Sequence, residues 1–226
     1  MATIITKNNI SSSDFATQMT EDLKTLFDFV NEDDGKLYIT DTLYITPGVN
    51  VVIGNGNGVT FTINIGSSSG NYYKLVKSAN GDVAILASTR ELTDNTGFRF
   101  AIVKVKNAIT NEESYGIFAN STSGGTSSSD VYNYGKMLLF TDDVEDSVAL
   151  TQVATDPTSL GYTAYFVYGT KTNAPIAVLG EVFSHQSQCI TQNTKVMYVT
   201  PHPYNGECLI AGKNYYCISF IAMLDE

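Results

Sequence analysis

Four side chains of metal-ligand type, His185, Cys189, His202 and Cys208, fall within 24 residues of one another. Structural zinc sites use tight pairs with two to four residues between the ligands, because two ligands on one turn must reach one ion. His185 and Cys189 only just meet that spacing, and His202 lies in Pro201-His202-Pro203, where the chain is held extended. The pattern reads as loop histidines and unrelated thiols, so no metal ligand is expected. Gly66-Ser67-Ser68-Ser69-Gly70 matches the G-x-S-x-G nucleophile string. That chemistry needs a strained strand-to-helix turn to expose the hydroxyl, and a histidine base oriented by an acid. Here a second strand pattern follows, and nothing marks an acid beside either histidine. The stretch reads as a loop. Asp33-Asp34 and the run Asp142 to Asp146 supply oxygens that calcium would accept, but neither has the spacing of a calcium loop. Both read as solvated turns. No catalytic, cofactor-binding or metal residue is expected, and the chain reads as non-enzymatic.

The three cysteines are an odd number, which argues against a full disulfide framework. Two of them invite a register argument. If Gly212-Lys213 forms a two-residue type II′ turn, glycine occupies the position which that turn requires. Ala211 then faces Asn214, and counting outward sets Cys208 opposite Cys217 at a close, non-hydrogen-bonded position. A vicinal thiol pair is therefore expected, reduced if the protein stays in a cytosol.

The elements that would hold these residues are mostly short strands. Residues 36–65 read as strands at Leu37–Thr40, Thr42–Ile45, Asn50–Ile53 and Val59–Ile65, the last alternating apolar and polar residues with period two. Residues 3–6 read as a short strand or docking arm. Ser11-Ser12-Ser13 then offers a cap to a helix whose apolar stripe is Phe15, Met19, Leu23, Leu26, Phe27 and Val30, with Asn31–Gly35 as its stop. Further strands are expected near 72–77, 82–88, 98–106, 114–119, 131–140, 148–154, 161–169, 176–180, 196–200, 207–211 and 214–223. Many short strands with close turn signals predict a mainly β fold, an antiparallel sandwich or barrel with one N-terminal amphipathic helix. The organisation expected is an arm and helix over 1–35 and a β-rich domain over 36–226, with the Ser/Gly run 120–130 as a loop or a point of subdivision. The repeated Leu-Tyr-Ile-Thr at 37–40 and 42–45 hints at a β-helix rung, but no period continues beyond it.

Composition narrows the function. The 226-residue chain carries a net charge of −10, and only 16% of its residues are charged. Binding nucleic acid through phosphates needs clustered Lys and Arg. The 13 basic residues are dispersed, so nucleic acid and anionic membrane surfaces are both set aside. No apolar stretch approaches signal-peptide or bilayer length, so synthesis in a cytoplasm and no membrane insertion are expected.

There are 14 Tyr, 11 Phe and no Trp. Tyrosines on strands pack well and keep a hydroxyl near water. Phe15, Met19, Leu23, Tyr72 and Tyr73 are candidate interface residues, with packing on the chain's own sheet as the simpler reading. The polar N-terminal arm, the Ser/Gly/Thr/Asn-rich β body and the strand-rich ending Gly206–Glu226 resemble virion structural proteins of tailed bacteriophages, among them head-decoration, collar and tail or fibre components. That resemblance implies a structural protein of a virus particle, partnered by copies of itself and other virion proteins, often in symmetric oligomers. It implies no cofactor. The alternative expectation is a carbohydrate- or receptor-binding β module that meets a cell-surface glycan through loops such as 66–71 and 120–130.

Overall fold

Ser11 fixes where the first strand ends and the helix begins. Its backbone is extended (φ −63°, ψ 152°), and its Oγ accepts a hydrogen bond from the Asp14 N–H at 3.2 Å. This satisfies a donor that the first helical turn leaves unpaired. Asp14 also places a negative charge at the positive end of the helix dipole. The helix, Ser12–Leu26, buries Phe15, Met19, Leu23 and Leu26, spaced to fall on one face. It is shorter than the apolar spacing predicts. Phe27 turns extended (φ −136°, ψ 135°), and its ring meets Phe29 at 5.0 Å and Tyr115 at 5.1 Å. An aromatic cluster, rather than a fourth helical turn, takes that side chain. Residues 31–35 are not a helix stop either. Asp34 (φ 47°) and Gly35 (φ 73°) make a hairpin turn that closes on the pair Asp33–Lys36.

The computed structural model describes residues 1–55, 60–64, 70–89, 91–92, 98–106, 113–120, 137–140, 148–150, 152–153, 163–164, 182–184, 187–189, 196–199, 206–210, 212–218 and 221–226. The chain opens with β1 (Thr3–Ile10), which is longer than the expected arm, and α1 (Ser12–Leu26). A meander of short strands follows: β2 (Asn31–Asp33), β3 (Lys36–Tyr38), β4 (Tyr44–Thr46), β5 (Asn50–Gly54) and β6 (Thr60–Asn64). Next come β7 (Asn71–Lys77), β8 (Val83–Ser88), β9 (Phe98–Lys106), β10 (Glu113–Asn120), β11 (Met137–Phe140) and β12 (Val148–Leu150). A small pair, β13 (Gln152–Val153) and β14 (Thr163–Ala164), stands by itself. The last set is β15 (Val182–Ser184), β16 (Ser187–Cys189), β17 (Val196–Val199), β18 (Gly206–Ile210), β19 (Lys213–Ile218) and β20 (Ile221–Leu224). The expected single strand over 214–223 is thus two strands. The strand expected near 176–180 lies outside the described residues.

Every strand pairing among the described residues is antiparallel, and the fold is mainly β, a layered sandwich with one helix among those residues. β2 to β6 form a meander sheet in sequence order, which rules out the β-helix rung. The central sheet runs β1-β7-β8-β9-β10-β11-β12, and the C-terminal sheet runs β15-β16-β17-β20-β19-β18. One face of the central sheet carries Tyr73, Leu75, Ile85, Phe100, Ile102 and Ile117. These share one core with Phe15, Met19 and Leu23 of α1 and with Leu37, Ile45 and Ile53 of the meander. Residues on both sides of position 35 therefore belong to the same core. The opposite face buries Val76, Ala84, Leu86, Ala101 and Val103. From that second face Lys74 reaches Tyr216 of the C-terminal sheet, Nζ donating to the hydroxyl at 3.0 Å. β8 lies between two covered faces, and all six of its residues are buried, which explains the run Val-Ala-Ile-Leu-Ala without alternation.

Gly54 shows how tightly the meander is built. It pairs directly with Tyr44, whose ring lies across the glycine, tilted against Tyr38 (5.4 Å) and under Lys36 Nζ (5.0 Å). A Cβ at Gly54 would collide with the Tyr44 ring. Gly54→Ala is expected to lower stability by about 1–3 kcal/mol, the usual range for overpacking. Phe15→Ala removes a fully buried ring that meets Tyr73 edge-on at 5.5 Å, and is expected to lose about 3–5 kcal/mol. Urea unfolding followed by circular dichroism reads both changes.

Candidate functional site

The sheet registers decide which side chains face which layer. Ile4 pairs with Val76 and Thr6 with Lys74, so Ile4 projects from the central sheet on the side of the C-terminal sheet. Glu207 pairs with Tyr216 and Leu209 with Asn214, so Glu207 and Leu209 share the face of the C-terminal sheet from which Tyr216 meets Lys74. β1 and β18 are the edge strands of these two sheets. Ile4 and Leu209 thus lie on the inner faces of the sandwich at edges that no described strand covers. They are 45% and 70% exposed, and Met1, which lines one cavity with Leu209, is 92% exposed. Large aliphatic side chains on inner faces are normally covered, so this seam is the outlier of the fold.

A cavity of about 450 Å³ opens at the seam, lined by Met1, Glu207, Leu209, Asn214, Tyr215 and Asp225. Asp225 organises its floor. Its Oδ1 accepts the Ala79 N–H at 2.7 Å and lies 3.5 Å from the Met1 amino group, while its own N–H donates to the Asn214 carbonyl at 2.9 Å. Glu226 Oε1 accepts the Asn214 N–H at 3.0 Å. The lining therefore combines two aliphatic side chains with carboxylates, and the Asp225 carboxylate is engaged with backbone. Such a surface suits an apolar side chain and backbone donors.

Elsewhere the buried polar groups hold strands together. Asp82 is buried in the β7–β8 turn; its Oδ1 accepts the Lys104 N–H at 3.0 Å and its Oδ2 accepts from Asn80 Nδ2 at 3.3 Å. Arg99 Nε donates to the Ala87 carbonyl at 2.9 Å, and Asn71 Nδ2 to the Ile10 carbonyl at 3.2 Å. Tyr73 donates its hydroxyl to Asp22 Oδ2 at 2.7 Å, and the same oxygen lies 3.5 Å from Lys7 Nζ. Burial first, then this hydrogen bond and the charges of Asp22 and Glu21, hold the Tyr73 phenol far above its ordinary range. Burial also raises Tyr115, with smaller contributions from Asp82 and Asp28.

The structure brings few of the sequence candidates to one place. Phe15, Met19, Leu23 and Tyr73 are fully buried in the chain's own core, so they present no interface; Tyr72, half-buried, is on the other face of β7. Asp33 and Asp34 are exposed in the β2–β3 hairpin. Among the described residues no three His, Cys, Asp or Glu side chains group to hold a metal. His185, His202, residues 66–69 and residues 142–146 lie outside the described residues. The expected cysteine register is corrected. β18 and β19 close on Ile210–Lys213, so Gly212 (φ 79°) takes the second loop position rather than the first. Cys208 consequently faces Tyr215, and Cys217 faces Gly206. Cys217 is disulfide-bonded, not a free thiol. The seam itself went unread in the sequence. Its one signal is Glu207-x-Leu209, which sets an aliphatic residue on the same wet face as a carboxylate.

No family model, no curated protein and no solved structure matches this chain. No helix among the described residues is long and apolar enough to cross a membrane.

The Tyr73–Asp22 bond generates a pH dependence. A phenol whose pKa is raised on folding leaves stability unchanged below the ordinary value of 10.0 and lowers it above, because the unfolded chain loses that proton first. Unfolding free energy is expected to be flat through neutral pH and to fall above pH 10. Tyr73→Phe should make that fall shallower and should cost about 1–2 kcal/mol at pH 7 through the lost hydrogen bond to Asp22. Urea melts at several pH values between 7 and 11 read both effects.

Proposed function

We propose that this chain is a non-enzymatic assembly protein whose copies associate at the β1–β18 seam. One observation carries the reading: Ile4 and Leu209, aliphatic residues on inner faces of the sandwich, stand exposed on β1 and β18, which among the described residues each pair on one side alone. A second copy that adds a strand at such an edge gains ladder hydrogen bonds and removes the exposed aliphatic surface from water. Ile4 and Leu209 are suited to act as its apolar anchors, with Glu207 at the rim. The virus-particle part of the reading rests on the sequence texture, and the seam supports the association part. A glycan-binding module draws no support from Tyr38, Tyr44, Tyr72, Tyr73, Tyr115, Tyr215 and Tyr216, each of which is buried or half-buried.

The test is solution mass by size-exclusion chromatography with light scattering over a range of concentration. The native chain is expected to give a closed oligomer at micromolar concentration, and Ile4→Asp with Leu209→Asp a monomer with an unchanged circular dichroism spectrum. A native chain that stays monomeric at every concentration overturns association of copies at the seam.

A further inference from the structure

Cys217 sits on β19, between β18 and β20, 2% exposed and disulfide-bonded. The chain has two other cysteines, Cys189 and Cys208. Backbone register discriminates between them. Cys189 on β16 pairs with Met197 on β17, Met197 with Ala222 on β20, and Ala222 with Cys217 on β19. Three inter-strand steps of ~4.8 Å put Cys189 ~14 Å from Cys217, about twice what a disulfide spans between Cα atoms. Cys208 is on the adjacent strand. It pairs with Tyr215, two residues from Cys217 and on the same side of the ladder, which makes the two cysteines diagonal neighbours. The residue directly opposite Cys217 is Gly206, which presents no side chain there.

From this juxtaposition of Cys208 and Cys217 across the β18–β19 ladder, beside Gly206, we propose a redox latch: the two cysteines are joined in the finished protein, and the bond locks the hairpin that carries Glu207 and Leu209. Bond formation removes two thiol protons and two electrons. A low-molecular-weight disulfide such as oxidised glutathione accepts them and leaves as two thiols. A reducing cytosol holds the pair open, and an oxidising environment closes it. Closure links β18, an edge strand among the described residues, to β19, the strand it pairs with. Without the bond, β18 is held by the ladder to β19 and by its packing. The latch is independent of what binds the seam.

Trypsin tests this directly, because cleavage after Lys171, Lys195 and Lys213 leaves the three cysteines on separate peptides, 172–195, 196–213 and 214–226. The full chain is incubated with oxidised glutathione, its free thiols are alkylated under denaturing conditions, and the digest is mapped without reduction. Peptides 196–213 and 214–226 are expected as one linked species, with Cys189 alkylated. A link between 172–195 and 214–226, or alkylated Cys217 after oxidation, overturns the proposal. The latch is read separately by thermal unfolding. Oxidation is expected to raise the melting temperature by about 5–10 °C. Cys208→Ser should abolish that shift and Cys189→Ser should keep it. A shift that survives in Cys208→Ser, or a linked pair that gives no shift, overturns the latch.

Discussion

The constraint on which the structure depends is that the central sheet must be covered on both faces. β8 has no wet side: Ile85 and Ala87 point into the core shared with α1 and the meander, and Ala84 and Leu86 point toward the C-terminal sheet. Each aliphatic side chain as large as Leu or Ile removed from water contributes about 1.5–3 kcal/mol, so leaving either face open would forfeit a large share of the marginal stability of a domain. The chain meets this demand with its two ends. Residues 12–64 supply one cover and residues 206–226 take part in the other, and a bond such as Lys74–Tyr216 joins positions 142 apart. Contacts of that separation form only after long loops close, so the topology predicts slow folding for its size.

Polar side chains serve the same end. Asp82, Arg99 and Asn71 are buried, and each is bonded to backbone of a neighbouring segment rather than turned toward a cleft. A buried amide or carboxylate that lost such a partner would carry a desolvation penalty, which makes these bonds selective for one register. Asp22 does comparable work at the layer boundary, holding Tyr73 of the sheet and Lys7 of the edge strand from the helix.

Much of this was legible in the sequence, and the failures have physical causes. The helix start was readable because Ser11, Asp14 and the 15-19-23 spacing agree. Its end was not: Phe27 and Val30 continue the helical stripe by spacing, yet one joins Phe29 and Tyr115 and the other is exposed. Asp34-Gly35 suits both a helix stop and a hairpin turn, since each needs positive φ, and only the pairing of Asp33 with Lys36 separates them. The same ambiguity shifted the cysteine register, because Gly212 satisfies either central position of a two-residue loop. Strand positions from Leu37 to Ile117 were readable from alternation and turn residues. The seam was not, because alternation tells which face a residue takes and never whether a second layer reaches far enough to cover it.

The sheet edges themselves argue for where contact is allowed. β2, an edge of the meander, is three residues long, exposed at each of them and carries Glu32 and Asp33, with Glu32 paired to Lys24. Short length and charge are the usual means of blocking strand addition. β1 is eight residues, its first half is Thr-Ile-Ile-Thr, and its one charged side chain, Lys7, is turned to Asp22 on the helix side. Among the described residues the same chain thus guards one edge and leaves another uncovered. With a net charge of −10, copies repel one another at long range. Contact at an unguarded, aliphatic edge is the kind that wins under that repulsion, because it acts at short range and is not screened by salt.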